Sequence, residues 1–256
     1  MRKAICTISL AVTILFGLFG VSSGLTLNYL ASTGQTASAD FSFISATQLQ
    51  IILTETTPAA TFTGDSAGGI LTSIGFLLPD STVINPFGST VTIYTGSASF
   101  GFGFGDLSAG ADVSGEWGAT MGNLPIGTSP STSWDFVSAN TAQVTQFAGM
   151  NRDGPSGLDG PQGGLLDDSA SRGGLGVIDN SVLILLNLDA DPNTSGNQGL
   201  TLAQQTAFLS SLFPNSIVEY GSDAAFGTPI PEPATMLLLG SGLIGLAGVA
   251  RRRFKR

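Results

Sequence analysis

Along the middle of the chain the apolar positions recur with the period of β-strands. At residues 47–54, Leu49, Ile51 and Leu53 alternate with Gln48, Gln50 and Thr54, and only Ile52 breaks the rhythm. Such alternation is the signature of a strand with one face buried. Residues 70–78 are nearly all apolar and stop at Pro79-Asp80, which predicts a strand buried on both faces. Residues 89–95 are rich in β-branched side chains and predict another strand. The strongest core segment is 177–188, with Val182, Ile184, Leu186 and Leu188 in register and Leu183 and Leu185 on the reverse side. It predicts a central strand, and residues 217–220 a closing one. In "SFGFGFGDL", Phe100, Phe102 and Phe104 alternate with Gly101, Gly103 and Gly105. One face of that segment is aromatic and the other is bare, so a second backbone, a sheet or a ligand can lie close against it. The plain reading is a core strand. The functional one is an aromatic platform for sugar rings, to which Trp117 and Trp134 would add.

One segment changes period. At 201–213, Thr201 and Gln204 have capping-box spacing, Leu202, Leu209, Leu212 and Phe213 share a helical face, and Pro214 ends the run. The spacing predicts one short helix that covers a sheet edge. Residues 118–174 break the pattern differently, being dense in Gly, Ser, Pro and Asp. They predict a long loop, functional or disordered, which Phe136 and Phe147 could pin to the domain. Many short strands punctuated by turn residues predict a mainly β domain, an antiparallel sandwich or jelly roll with one helix, over residues 25–228.

Both ends are apolar in a different way. Met1-Arg2-Lys3 precedes an uncharged run, and Ser22-Ser23-Gly24 follows it. This is the anatomy of a secretory signal peptide over residues 1–24, read by the Sec machinery and a signal peptidase. Near the other end, residues 234–250 carry no charge across 17 positions. As a helix they span ~25 Å, slightly short of the ~30 Å hydrocarbon core and within reach of it by local thinning. Arg251, Arg252, Arg253, Lys255 and Arg256 follow at once. By the positive-inside rule that tail stays cytoplasmic and the domain faces the far side of the membrane.

Pro231-Glu232-Pro233, then a short apolar helix, then a basic terminus, resembles the PEP-CTERM sorting signal of exosortase substrates in Gram-negative bacteria. The resemblance covers residues 229–256. It implies export, transient anchoring, and processing near Pro231-Glu232-Pro233 by an exosortase-type membrane protease or transpeptidase, in association with exopolysaccharide and biofilm. A stiff, extended segment at the membrane surface suits a protease cleft, and prolines on either side of Glu232 keep the membrane helix from growing into it. "GGILTSIGFLLP" and "IVEYGSDAAF" also resemble segments of exosortase-dependent surface proteins, more loosely.

Charge narrows the function classes. All eighteen acids lie between Asp40 and Glu232, with only Arg152 and Arg172 among them, a formal charge of −16. Such a surface repels phosphate backbones, so nucleic acid is excluded as a partner. The chain has no histidine, and its one cysteine, Cys6, lies in the leader. Triad, thiol and imidazole-metal mechanisms are thereby removed, and no disulfide holds the exported domain. Carboxylates remain. Asp189, Asp191, Asn193 and Ser195 alternate in "DADPNTSGN", as the oxygen ligands of a Ca²⁺ loop do. Thr194 stands where such a loop needs Gly, and Leu200 where it needs Glu, so an ordinary turn fits the same residues. Asp167-Asp168, with Asp153 and Asp159, makes a second acidic group, which solvation explains as well. A carboxylate-only glycosidase would need a pair such as one including Glu116, beside Trp117, at a separation that sequence does not give.

The expectation is therefore an exported, non-catalytic surface or matrix protein. A Ca²⁺-assisted lectin-like module that holds exopolysaccharide is the alternative, and a carboxylate-only hydrolase the third reading.

Overall fold

The computed structural model describes residues 24–58, 67–79, 81–101, 106–119, 134–140, 144–150, 152, 158, 162–166, 176–193, 197–221 and 225–230. Outside these lie residues 1–23, nearly all of the expected signal peptide, together with Pro231-Glu232-Pro233, the apolar segment 234–250 and its basic tail. Phe102, Phe104, Ser195, Arg172 and the aspartates at 153, 159, 167 and 168 are outside them too.

Among the described residues the chain forms thirteen strands and one α-helix. The strands are β1 (Leu25–Ala31), β2 (Thr36–Ser45), β3 (Gln48–Glu55), β4 (Leu71–Phe76), β5 (Val83–Ile93), β6 (Ser99–Phe100), β7 (Gly118–Ala119), β8 (Asp135–Ser138), β9 (Thr145–Gln146), β10 (Val177–Ile178), β11 (Ser181–Asp189), β12 (Ser216–Tyr220) and β13 (Ala225–Ile230). The helix, α1, is Leu202–Ser211.

The mainly β, antiparallel expectation holds, and most of the strands join in one sheet. Eleven of them run in the order β5-β11-β3-β2-β1-β13-β12-β4-β8-β7-β9, while β6 and β10 pair separately. Consecutive β1, β2 and β3 form a meander, each antiparallel to the next. The sheet rolls on itself like a barrel. Phe41 of β2 meets Phe76 of β4 edge to face, with centroids 6.1 Å apart. The Val91 N–H of β5 donates to the Ser114 hydroxyl at 2.9 Å, only four residues before β7 near the other end of the sheet.

Period two explains the burial. On β1 the inward row is Leu27, Tyr29 and Ala31, and on β3 it is Leu49, Ile51, Leu53 and Glu55. All six residues of β4 are buried, as the mostly apolar run predicts, Thr72 and Ser73 included. β11 lies between β5 and β3 and is the expected central strand. It begins later than the apolar run does, because Asn180 adopts φ 61 and separates it from β10. That left-handed turn is tolerated by Asn better than by a branched residue.

Three expectations need correction. The segment 118–174 is not loop throughout, since β8 pairs along its whole length with β4 and packs Val137 into the core. Phe136 and Phe147 are both buried there. Residues 217–220 are not the closing strand, because β13 follows and inserts between β12 and β1. Finally, α1 does not cover a sheet edge. Phe208 packs edge to face against Phe43 of β2 and Phe76 of β4, so the helix closes one open end of the roll. Leu209 and Leu212 point inward as the helical face predicts, whereas Leu202 and Phe213 are exposed. The capping box of Thr201 and Gln204 is present in both directions.

Candidate functional site

The sequence directs attention to the point where the chain leaves the domain for its sorting signal. That point is the end of β13, a strand held on both sides. It pairs with β1 through Asn28 opposite Ile230 and Tyr29 opposite Pro229, and with β12 through Val218 opposite Gly227. The Tyr29 hydroxyl lies 2.9 Å from the Ser216 hydroxyl, and Ser216 Oγ donates its only proton to the Leu212 carbonyl at 2.9 Å. Tyr29 must then be the donor to Ser216. This relay ties β1, the start of β12 and the end of the helical segment together beside the exit. Residues 229 and 230 therefore belong to the folded sheet, two residues further than the domain boundary read from sequence.

Three glutamates, Glu55, Glu116 and Glu219, are buried. Burying a carboxylate is costly unless hydrogen bonds replace water, and each has them. Glu55 Oε1 accepts from the Thr57 N–H at 2.9 Å. Glu219 Oε2 accepts from the Ser73 hydroxyl at 3.0 Å, which is itself 2.6 Å from the Ser138 hydroxyl. Glu116 Oε1 accepts from the Arg152 N–H, while the Arg152 guanidinium donates to the Asp112 carbonyl at 2.9 and 3.1 Å. Each carboxylate is thus committed to its own neighbours. Sequence reasoning missed Glu55 and Glu219 as buried groups. The signal was available for Glu55, which continues the inward row of Leu49, Ile51 and Leu53.

Two tyrosines share this interior. Burial pushes the Tyr29 hydroxyl well above its usual range. Burial raises Tyr220 as well, and the Glu55 carboxylate adds to the rise. A folded-state pKa above the unfolded value of 10.0 means that the fold favours the neutral phenol. The resulting stability is complete below pH 10 and disappears as the pH climbs beyond it. Stability should accordingly fall steeply in alkali, with the phenolate absorbance of Tyr29 and Tyr220 appearing together with loss of β-sheet circular dichroism. Ionisation of Tyr29 and Tyr220 before any loss of sheet would contradict this.

The candidate ligand groups from sequence are placed as follows. Asp189 Oδ1 accepts from the N–H groups of Asp191 (3.1 Å) and Gln198 (3.0 Å), and Asp191 Oδ1 accepts from Asn193 N–H at 3.2 Å. These bonds close the connection between β11 and α1, the role of Asp and Asn in ordinary turns. Among the described residues no group of three or more His, Cys, Asp or Glu side chains is gathered in one place. Trp117 is fully buried in the core, with its indole Nε1 unbonded, and so offers no face to a polymer. Phe100 and Trp134 are half-buried, Phe100 in the small sheet where it pairs with Val177.

Residues 229–253 match the model of the PEP-CTERM protein-sorting motif. The match begins inside β13 and runs through Pro231-Glu232-Pro233, the apolar segment and the first three arginines. This motif marks an exported, membrane-anchored precursor that an exosortase sorts. No curated protein and no solved structure matches the chain.

Proposed function

We propose that the chain is an exported, non-catalytic protein of the cell surface or extracellular matrix, whose rolled β domain is the delivered cargo and whose C-terminal segment is its handling signal. The observation that carries this reading is the sorting motif itself, continuous with the last strand of the domain. The absence of histidine from the whole sequence and the loss of Cys6 with a cleaved leader leave carboxylates as the main catalytic resource. The buried carboxylates serve the fold's own hydrogen bonds. In this reading the precursor faces the periplasm, its arginine-rich tail remains cytoplasmic, and an exosortase-type enzyme acts at the Pro-Glu-Pro segment. The mature form then joins an exopolysaccharide-rich layer.

Intact mass of the protein recovered from cells and medium tests the reading. The expected mass lacks residues 1–24 and everything beyond the Pro-Glu-Pro region. With Glu232→Ala the expected product keeps residues 234–256, because the enzyme loses the charged residue between the two prolines. Unchanged processing of that variant would remove Glu232 from recognition. A wild-type mass that retains the apolar segment would instead make this a permanently anchored periplasmic protein.

A further inference from the structure

We propose that, while the precursor is anchored, the helix-capped end of the roll stands directly on the bilayer, with Ile44, Leu202, Phe213 and Ile230 as its contact residues and an uncharged lipid headgroup surface as their partner. This rests on the anchored-precursor reading above and adds an orientation and an interaction surface to it.

Strand direction carries the first step. Val218 pairs with Gly227, so continuing the antiparallel register puts Ile230 opposite Asn215, just past the end of α1. The chain therefore leaves the domain at the end that α1 closes. β1 also starts at this end, because it runs antiparallel to β13. Both the leader side and the anchor side of the domain face one way.

Reach carries the second step. Only Pro231, Glu232 and Pro233 separate Ile230 from the apolar segment that begins at Ala234. Four Cα steps span about 14 Å at most. An α-helix with its side chains is about 10 Å across, so α1 fills most of the gap that this tether permits. The domain cannot stand clear of the membrane while it remains attached.

The third step is the chemistry of the surface presented. Leu202, the first residue of α1, is 75 % exposed, and Ile44, Phe213 and Ile230 are also exposed. Ile44 precedes the turn whose Ala46 carbonyl accepts from Leu200 N–H at 2.8 Å, which places it beside the start of α1. No charged residue occurs between Asp191 and Glu219, a span that includes the whole helix. In a domain this acidic, an uncharged stretch with exposed Leu202 and Phe213, beside exposed Ile44 and Ile230, suits the boundary between headgroups and acyl chains. Asp135, Asp189 and Asp191 stand where β8 begins and β11 ends, an arrangement that favours neutral headgroups over anionic ones.

The test uses the full chain in a Cys6→Ala background, reconstituted in phosphatidylcholine vesicles that contain a brominated lipid. A bimane label is placed at Leu202→Cys or, as the distal reference, at Ser32→Cys, an exposed position just after β1 at the far end of the roll. The expected result is several-fold stronger quenching at position 202 than at position 32. A label at Ser210→Cys, on the exposed side of α1, should likewise be quenched, and less so when Leu202→Asp and Phe213→Asp are added. Equal, weak quenching at both ends in protein that still floats with the vesicles overturns the proposal and leaves the anchor intact. Cross-linking of Leu202→Cys between copies in place of quenching assigns the face to a second copy and also overturns it. Failure to float with vesicles removes the anchor, and this inference with it.

Discussion

Phe76→Ala is expected to cost the purified chain about 3–5 kcal/mol of unfolding free energy in urea, the range for deleting a fully buried aromatic ring. Phe76 is 0 % exposed and lies where the roll closes on itself, touching Phe41 across the interior and Phe208 of α1 at the open end. Removing the ring leaves two edge-to-face contacts without a partner and a cavity that strands on opposite sides cannot collapse to fill, because each is fixed by its ladder of hydrogen bonds. Phe87→Ala is the matched control. Its ring is 84 % exposed, and the change should stay within about 0.5 kcal/mol. Similar losses at both positions would mean that Phe41, Phe76 and Phe208 do not pack as one cluster.

A pair of truncations should separate the fold from the sorting signal. A chain that stops after Ile230 keeps all of β13 and is expected to be folded, exported and released, with membrane retention lost completely. A chain that stops after Ala224 lacks β13, a strand in the middle of the sheet whose neighbours are β1 and β12. Its removal leaves two long unpaired edges and opens the roll, so the expected product is unfolded or aggregated. Circular dichroism and fractionation of the two chains give the answer. A folded product from the shorter one would show that β13 is dispensable. An exosortase that releases a folded domain must cut after Ile230, since any earlier cut takes residues from the sheet.

Much of the architecture could be read locally. Alternation at Leu49, Ile51 and Leu53, the mostly apolar run of β4 and the doubled pattern of β11 each report how many faces of a strand are buried, and that property is written into consecutive residues. The capping box of α1 is equally local. So is the sorting signal, which works as a short linear segment presented to an enzyme and needs no tertiary partner to be recognised in sequence. The charge asymmetry and the missing histidines likewise limit the chemistry without any knowledge of the fold.

What depended on tertiary structure was every relation between distant segments. β13 carries Gly227 and Pro229 and has no alternating apolar pattern, and it is a strand because β1 and β12 offer it two open ladders, a condition met only when residues nearly 200 positions apart meet. Strands β7, β8 and β9 are recruited in the same way from a stretch whose Gly, Ser and Asp content reads as loop. The inward turn of Trp117 and the choice of Phe208 over Leu202 and Phe213 followed from where the roll had space to fill. Which end of the domain faces the anchor also belongs to this class: strand direction and register set it, and neither is a property of any single segment.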